Sequence, residues 1–151
     1  MRRRAGVFAI LIASCVGIVS AQDHRVFTGH WIGNLAQSSI RANANIQRFT
    51  LDVAVAADLI TLTDHTIDAS GRDVGYGTTA FRTDGIAYPH DELAPGLTVV
   101  ARWSGDRVLE TVLTRPNVVD RITYEVSADG TRLTTKTSGP LGTQTFVFDR
   151  N

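Results

Sequence analysis

Asp129-Gly130 stands between two runs that alternate apolar and polar residues, Ile122 to Val126 and Arg132 to Thr137. Asp-Gly between such runs is a strong hairpin signal. A hairpin fixes which residues oppose each other, because successive side chains alternate between the faces of a sheet. A two-residue type I′ loop there sets Val126 opposite Leu133, Tyr124 opposite Thr135 and Ile122 opposite Thr137. The next connection, Gly139-Pro140-Leu141-Gly142, taken as a four-residue loop, sets Leu133 opposite Phe148 and Thr135 opposite Phe146. Apolar side chains then share one face across three strands, while Arg132 meets Asp149 and Glu125 meets Thr134 on the other. Two turns read separately agree on one dry face, which restricts the chain to an antiparallel sheet with a buried side.

The same exercise extends upstream. Ser104-Gly105-Asp106 as a three-residue loop sets Leu97, Val99 and Ala101 against Leu113, Thr111 and Leu109. Asp84-Gly85 as a hairpin joins Phe81 to Tyr88 and Thr83 to Ile86, and Ala57-Asp58 brings Val55 and Val53 against Ile60 and Leu62. No run shows a sustained helical period, and Gly, Asp, Asn and Pro recur at close intervals, which is the pattern of an all-β meander. From Trp31 to Phe148 the count is nine to ten antiparallel strands. A flat sheet of that many strands leaves two open edges, so the predicted fold is an up-and-down β-barrel. Gly75 and Gly77, alternating within one strand, predict a bend or bulge there. The polar tract Ala36 to Asn45 is the one connection with room for a short helical turn or lid.

Met1-Arg2-Arg3-Arg4, an apolar run from Ala5 to Ser20 and polar Gln22-Asp23-His24 have the form of an export signal. The apolar run is too short to cross a bilayer, so no membrane span is expected. Cleavage after Val19-Ser20-Ala21 divides the chain into a signal peptide, residues 1–21, and one domain, residues 22–151, exported to the periplasm or beyond. Ile12-Ala13-Ser14-Cys15 offers the alternative of a lipoprotein anchored through Cys15, although the residues after Cys15 are apolar where a tether is usually polar. Cys15 is the only cysteine, so the mature domain has no disulfide and depends on core burial. Residues 22–151 carry twelve basic against fifteen acidic residues, a net charge of −3 with no basic cluster, which argues against a nucleic-acid partner.

Phe27-x-Gly29-x-Trp31, opening this meander, resembles the Gly-x-Trp start of lipocalins and fatty-acid-binding proteins. Asp84-Gly85-x-x-Tyr88-Pro89 and Ser127-x-Asp129-Gly130-x-x-Leu133-Thr134 are similar to segments of secreted bacterial lipocalin-like (calycin-type) proteins of uncharacterised function. The resemblance implies a barrel closed at one end by Trp31 under an arginine from the last strand. Arg150 shares the parity of Phe146 and Phe148 and fits that role, with Gly29 and Trp31 completing the closed end.

Chemistry is sparse. His24, His30, His65 and His90 have no metal-ligand spacing, and His90-Asp91-Glu92 reads as an acidic solvated loop. No nucleophile elbow occurs, Asp64 and His65 point to opposite faces, and Asp64 is the only acid on the inward register. A single carboxylate near a barrel mouth reads as a solvated or hydrogen-bonded structural group. No catalytic residue, metal or cofactor is therefore expected. The inward face is more informative, because hydroxyls among its apolar residues need partners. The residues expected to line a ligand pocket are Phe49, Leu51, Leu62, Phe81, Tyr88, Trp103, Thr111, Tyr124, Thr135 and Phe146. The expected partner is a small apolar or amphipathic molecule. The alternative is an envelope interaction or inhibitor protein on a filled barrel, working through loops such as Tyr88 to Gly96.

Overall fold

Alternation with a period of two puts one side of each run in water and the other in the core. Ten runs form strands in the computed structural model, which describes residues 23–41 and 45–151. They are β1 (Gly29–Gly33), β2 (Ile46–Ala56), β3 (Leu59–Asp68), β4 (Asp73–Arg82), β5 (Asp84–Pro89), β6 (Thr98–Trp103), β7 (Val108–Arg115), β8 (Val118–Val126), β9 (Arg132–Gly139) and β10 (Gly142–Arg150). The segment read as an export signal, with Cys15, lies outside the described residues. Among the described residues no helix is long and apolar enough to cross a membrane.

The strands form one antiparallel sheet in the order β4-β3-β2-β1-β10-β9-β8-β7-β6-β5. Apart from β4 and β5, consecutive strands pair with each other, and β1 closes the meander by pairing with β10, Trp31 opposite Arg150. The result is a nearly closed up-and-down barrel whose one break lies between β4 and β5.

That break corrects the hairpin expected at Asp84-Gly85. The Thr83 amide donates to the Asp58 carbonyl at 2.7 Å, across the β2–β3 turn, rather than to β5. The Asp84 carboxylate accepts from the Ile86 amide at 3.0 Å and from the Tyr88 hydroxyl at 2.8 Å. The Asp side chain thus takes up local bonds, a turn conformation that competes with a ladder. Phe81 and His90 meet across the break, ring centroids 5.4 Å apart.

The other registers hold with instructive differences. Val126 faces Leu133, Tyr124 faces Thr135 and Phe146 faces Thr135, all as read from the turns. The Asp129-Gly130 loop is not type I′, which needs positive φ at both central residues. Only Gly130 (φ 74) is left-handed there, and its amide closes a turn on the Ser127 carbonyl at 2.9 Å. Pairing between β9 and β10 runs on to Gly139 and Gly142, leaving a two-residue loop. Between β6 and β7 the register is two residues off the expected one, with Val99 opposite Leu113 and Trp103 opposite Leu109. A shift of two keeps every side chain on its face. Gly75 and Gly77 sit in regular pairs with Thr66 and Asp64, and the irregularity falls just beyond, between Thr66 and Ile67.

The tract after β1 forms no helix over its described residues. It is stitched to β10 instead, with Ser39 bridged to Thr145 and the Val147 amide donating to Ser38 Oγ at 2.9 Å.

Candidate functional site

The two halves of the barrel are filled differently. At one end the 3₁₀ helix His24–Phe27, capped by the Asp23 carboxylate, tucks the buried Phe27 under the sheet. Trp31 is 0% exposed, and its Nε1 donates to the Phe27 carbonyl at 2.9 Å. The guanidinium of Arg150 lies over the Trp31 ring, Cζ 4.1 Å from the centroid. It also donates to the carbonyls of Gly130, Thr28 and Val26, tying the last strand to the first and to the helix. Gly29 is required here, since a Cβ on it would stand 2.8 Å from Arg150 Nη1 and its φ is +149. Ile60, Leu109, Leu133, Val99 and Val126 complete a solid floor with almost no exposed surface.

Three of the residues expected in a pocket belong elsewhere. Trp103 is part of the floor: it stacks on His24 with ring centroids 3.9 Å apart, packs against Phe27, and donates from Nε1 to Thr83 Oγ1 at 3.1 Å. His24 is accordingly part of the packed end. Thr111 is 1% exposed, and its hydroxyl donates to the Ile122 carbonyl at 3.3 Å, a satisfied core group. Tyr88 turns to the break, where its hydroxyl binds Asp84 and its ring lies near the Arg82 guanidinium.

The other seven converge. Phe49, Leu51, Leu62, Phe81, Tyr124, Thr135 and Phe146 line one cavity of about 290 Å³ in the opposite half, joined by Phe148, Asp64, Thr66 and Thr79. Phe49 stands edge-on to both Phe146 and Phe148, centroids 5.4 and 5.0 Å away. These three rings form an apolar wall. The strand beside Phe49, β3, carries polar side chains, with Thr66 paired to Phe49 and Asp64 to Leu51. On β4, Gly77 and Gly75 lie opposite Asp64 and Thr66, so the strand contributes no side chain above Thr79.

Tyr124 reaches into the same cavity. The residue is 9% exposed and its hydroxyl makes no hydrogen bond among the described residues, while the one fully buried polar side-chain atom without a partner among them is His24 Nδ1, in the packed end. Burial, with the Asp64 carboxylate as a second cause, holds its ionisation well above the ordinary tyrosine range. The phenol is therefore a neutral donor aimed at the cavity. Asp64 likewise makes no hydrogen bond or ion pair among the described residues. Three histidines outside the cavity pair with carboxylates: His30 with Asp52, His65 with Asp73 and His90 with Glu92. Among the described residues no three His, Cys, Asp or Glu side chains gather where a metal ion could be held.

No family model and no curated protein matches the sequence. Solved structures do match. The fluorescent protein UnaG superposes with a TM-score of 0.63 at 14% identity, over 83% of this chain and 97% of that one. A Schistosoma mansoni fatty acid binding protein in complex with arachidonic acid gives 0.62 at 14% identity, over 85% and 98%. The REP1-NXSQ fatty acid transporter gives 0.61 at 11% identity, over 82% and 95%. The fold is that of the fatty-acid-binding-protein-like, calycin-type β-barrels. At these identities the likeness is one of architecture.

Proposed function

We propose that this protein binds a small apolar or amphipathic molecule in the open half of its barrel. The observation that carries the reading is the uneven filling: a solid floor at the Trp31 end, then a cavity lined by three phenylalanines together with Asp64 and Tyr124, which bond no described group. Its volume of about 290 Å³ lies at the lower end of ligand pockets, roughly 300–1,000 Å³. The neighbouring folds whose names mention fatty acids support a hydrophobic ligand. A loop-borne interaction role would need no hollow, and nothing in the loop Tyr88 to Gly96 favours it over the cavity. No catalytic role is part of this reading, and export rests on residues 1–21 alone.

Magnitudes bound the ligand. Burying ten methylenes supplies about 8 kcal/mol gross. Association takes back at least about 4 kcal/mol, so a tail alone reaches only about millimolar affinity. The polar groups of the lining must supply the rest. The test is saturation binding of the neutral fluorescent probe N-phenyl-1-naphthylamine and its displacement by dodecanol. One-to-one binding with complete displacement is expected. Absence of probe binding up to its solubility limit removes the reading.

A further inference from the structure

The cavity's polar groups have one sign. Among the described residues its lining contains no lysine or arginine, and its only ionic group is Asp64. Asp64 lies on β3 in the same parity as Ile60 and Leu62, opposite Leu51 on one side and Gly77 on the other, so it belongs to the inner face. A solvated structural carboxylate is the ordinary reading of such a group. Asp64 is an exposed residue whose carboxylate makes no hydrogen bond or ion pair among the described residues, a state it shares with exposed Asp106 and Glu125. Two observations set it apart from them. The strand beside it is cleared: a Cβ at Gly77 would lie 3.5 Å from Asp64 Oδ1 and one at Gly75 3.8 Å from Oδ2, so any longer side chain there would cover the carboxylate. The cavity it faces is otherwise walled by Phe49, Phe146 and Phe148.

We propose that the cavity selects an amphipathic cation, with an ammonium group held at Asp64 and the apolar body lying against the phenylalanines and Leu62. The proposal rests on the binding reading above and names its ligand class. A cation at Asp64 gains a charge-assisted hydrogen bond at the open, solvent-facing side of the cavity, and the aromatic lining favours alkylammonium groups further. The hydroxyls of Thr66, Thr79 and Tyr124 supply acceptors beside it. An anionic head in the same place meets a like charge and no compensating cation. The net charge of −3 over residues 22–151 acts in the same direction on approach.

Three probes with one tail separate the possibilities: dodecylammonium, dodecanol and laurate, each below its micelle concentration, displacing N-phenyl-1-naphthylamine at neutral pH and low salt. The expected order is dodecylammonium tightest and laurate weakest, with about tenfold or more between the two for a partly screened charge pair. In Asp64→Asn the preference for dodecylammonium over laurate should collapse, with far-ultraviolet circular dichroism and thermal unfolding reporting that the barrel is intact. Laurate binding as tightly as dodecylammonium to the unaltered protein, or an unchanged ratio in Asp64→Asn, overturns the proposal. Displacement by dodecanol without an ammonium preference leaves the cavity a hydrophobic binder and refutes the cation alone. Failure of all three to displace, or of the probe to bind, removes both.

Discussion

Truncating Trp31 to alanine should cost about 3 to 5 kcal/mol, the range for large buried aromatics. A fully buried tryptophan removes roughly 150–250 Å² from water, about 4 to 6 kcal/mol at 25 cal/mol per Å². Trp31 is 0% exposed, so it takes the upper part of that area. Compactness of the unfolded chain and the methyl group that remains reduce the figure. The lost bond to the Phe27 carbonyl and the lost ring beneath Arg150 restore part of it. Against a total stability of about 5 to 15 kcal/mol this is a large fraction. Urea unfolding followed by far-ultraviolet circular dichroism gives the value, because Trp103 would complicate a fluorescence signal. A double-mutant cycle with Arg150→Ala should show a coupling of about 0.5 to 2 kcal/mol. A loss for Trp31→Ala within about 0.5 kcal/mol, the size of an ordinary surface change, would refute the assignment of Trp31 to the barrel floor.

Three further outcomes are expected. Tyr124→Phe removes a hydroxyl that bonds no described group, so urea unfolding should shift by less than about 0.5 kcal/mol while dodecanol affinity changes. Gly77→Val should stabilise β4 by up to about 1 kcal/mol, as a β-branched residue in a strand, yet weaken dodecylammonium binding by about tenfold by covering Asp64, opposite effects that unfolding and displacement titration read separately. Asp68, buried in the β3–β4 turn, accepts from the Ser70 hydroxyl first and then from the Arg72 amide and guanidinium, which hold its ionisation far below the usual carboxylate range. Because the folded value is lowered, this stabilisation is present above the unfolded value of about 3.9 and lost as pH falls below it, so the unaltered protein should lose more stability on acidification than Asp68→Asn, measured by thermal unfolding across pH.

Parity along the strands was legible because turns with few conformations pin it. Tyr124 opposite Thr135 opposite Phe146 follows from two short loops, and the two-residue slip between β6 and β7 left Val99 and Leu109 inward all the same. Parity tells inside from outside but not height within the barrel. Trp103 and Thr111 are inward, yet they lie in the floor, while Phe146 at the other end faces the cavity. The break at Asp84 was hidden because Asp-Gly has the same signature whether its side chain closes a hairpin or bonds Ile86 and Tyr88 locally. His24–Phe27 is too short to show a period, and its only signals were the capping Asp23 and the two apolar residues at its end. Asp64 was readable as the sole inward acid. Its lack of a partner was not, since that depends on strands far apart in sequence.

The central claim is that a ligand occupies the hollow half of this barrel, and methyl chemical shifts locate it directly. Titrating isotope-labelled protein with dodecanol should move the methyl resonances of Leu51, Leu62, Thr66, Thr79 and Thr135 along one saturating one-to-one curve. Those of Leu109, Leu133 and Val126 in the floor should stay in place. Shifts confined to exposed Val74, Ile86 and Leu93, or cavity methyls that do not respond while the probe binds, would contradict the account.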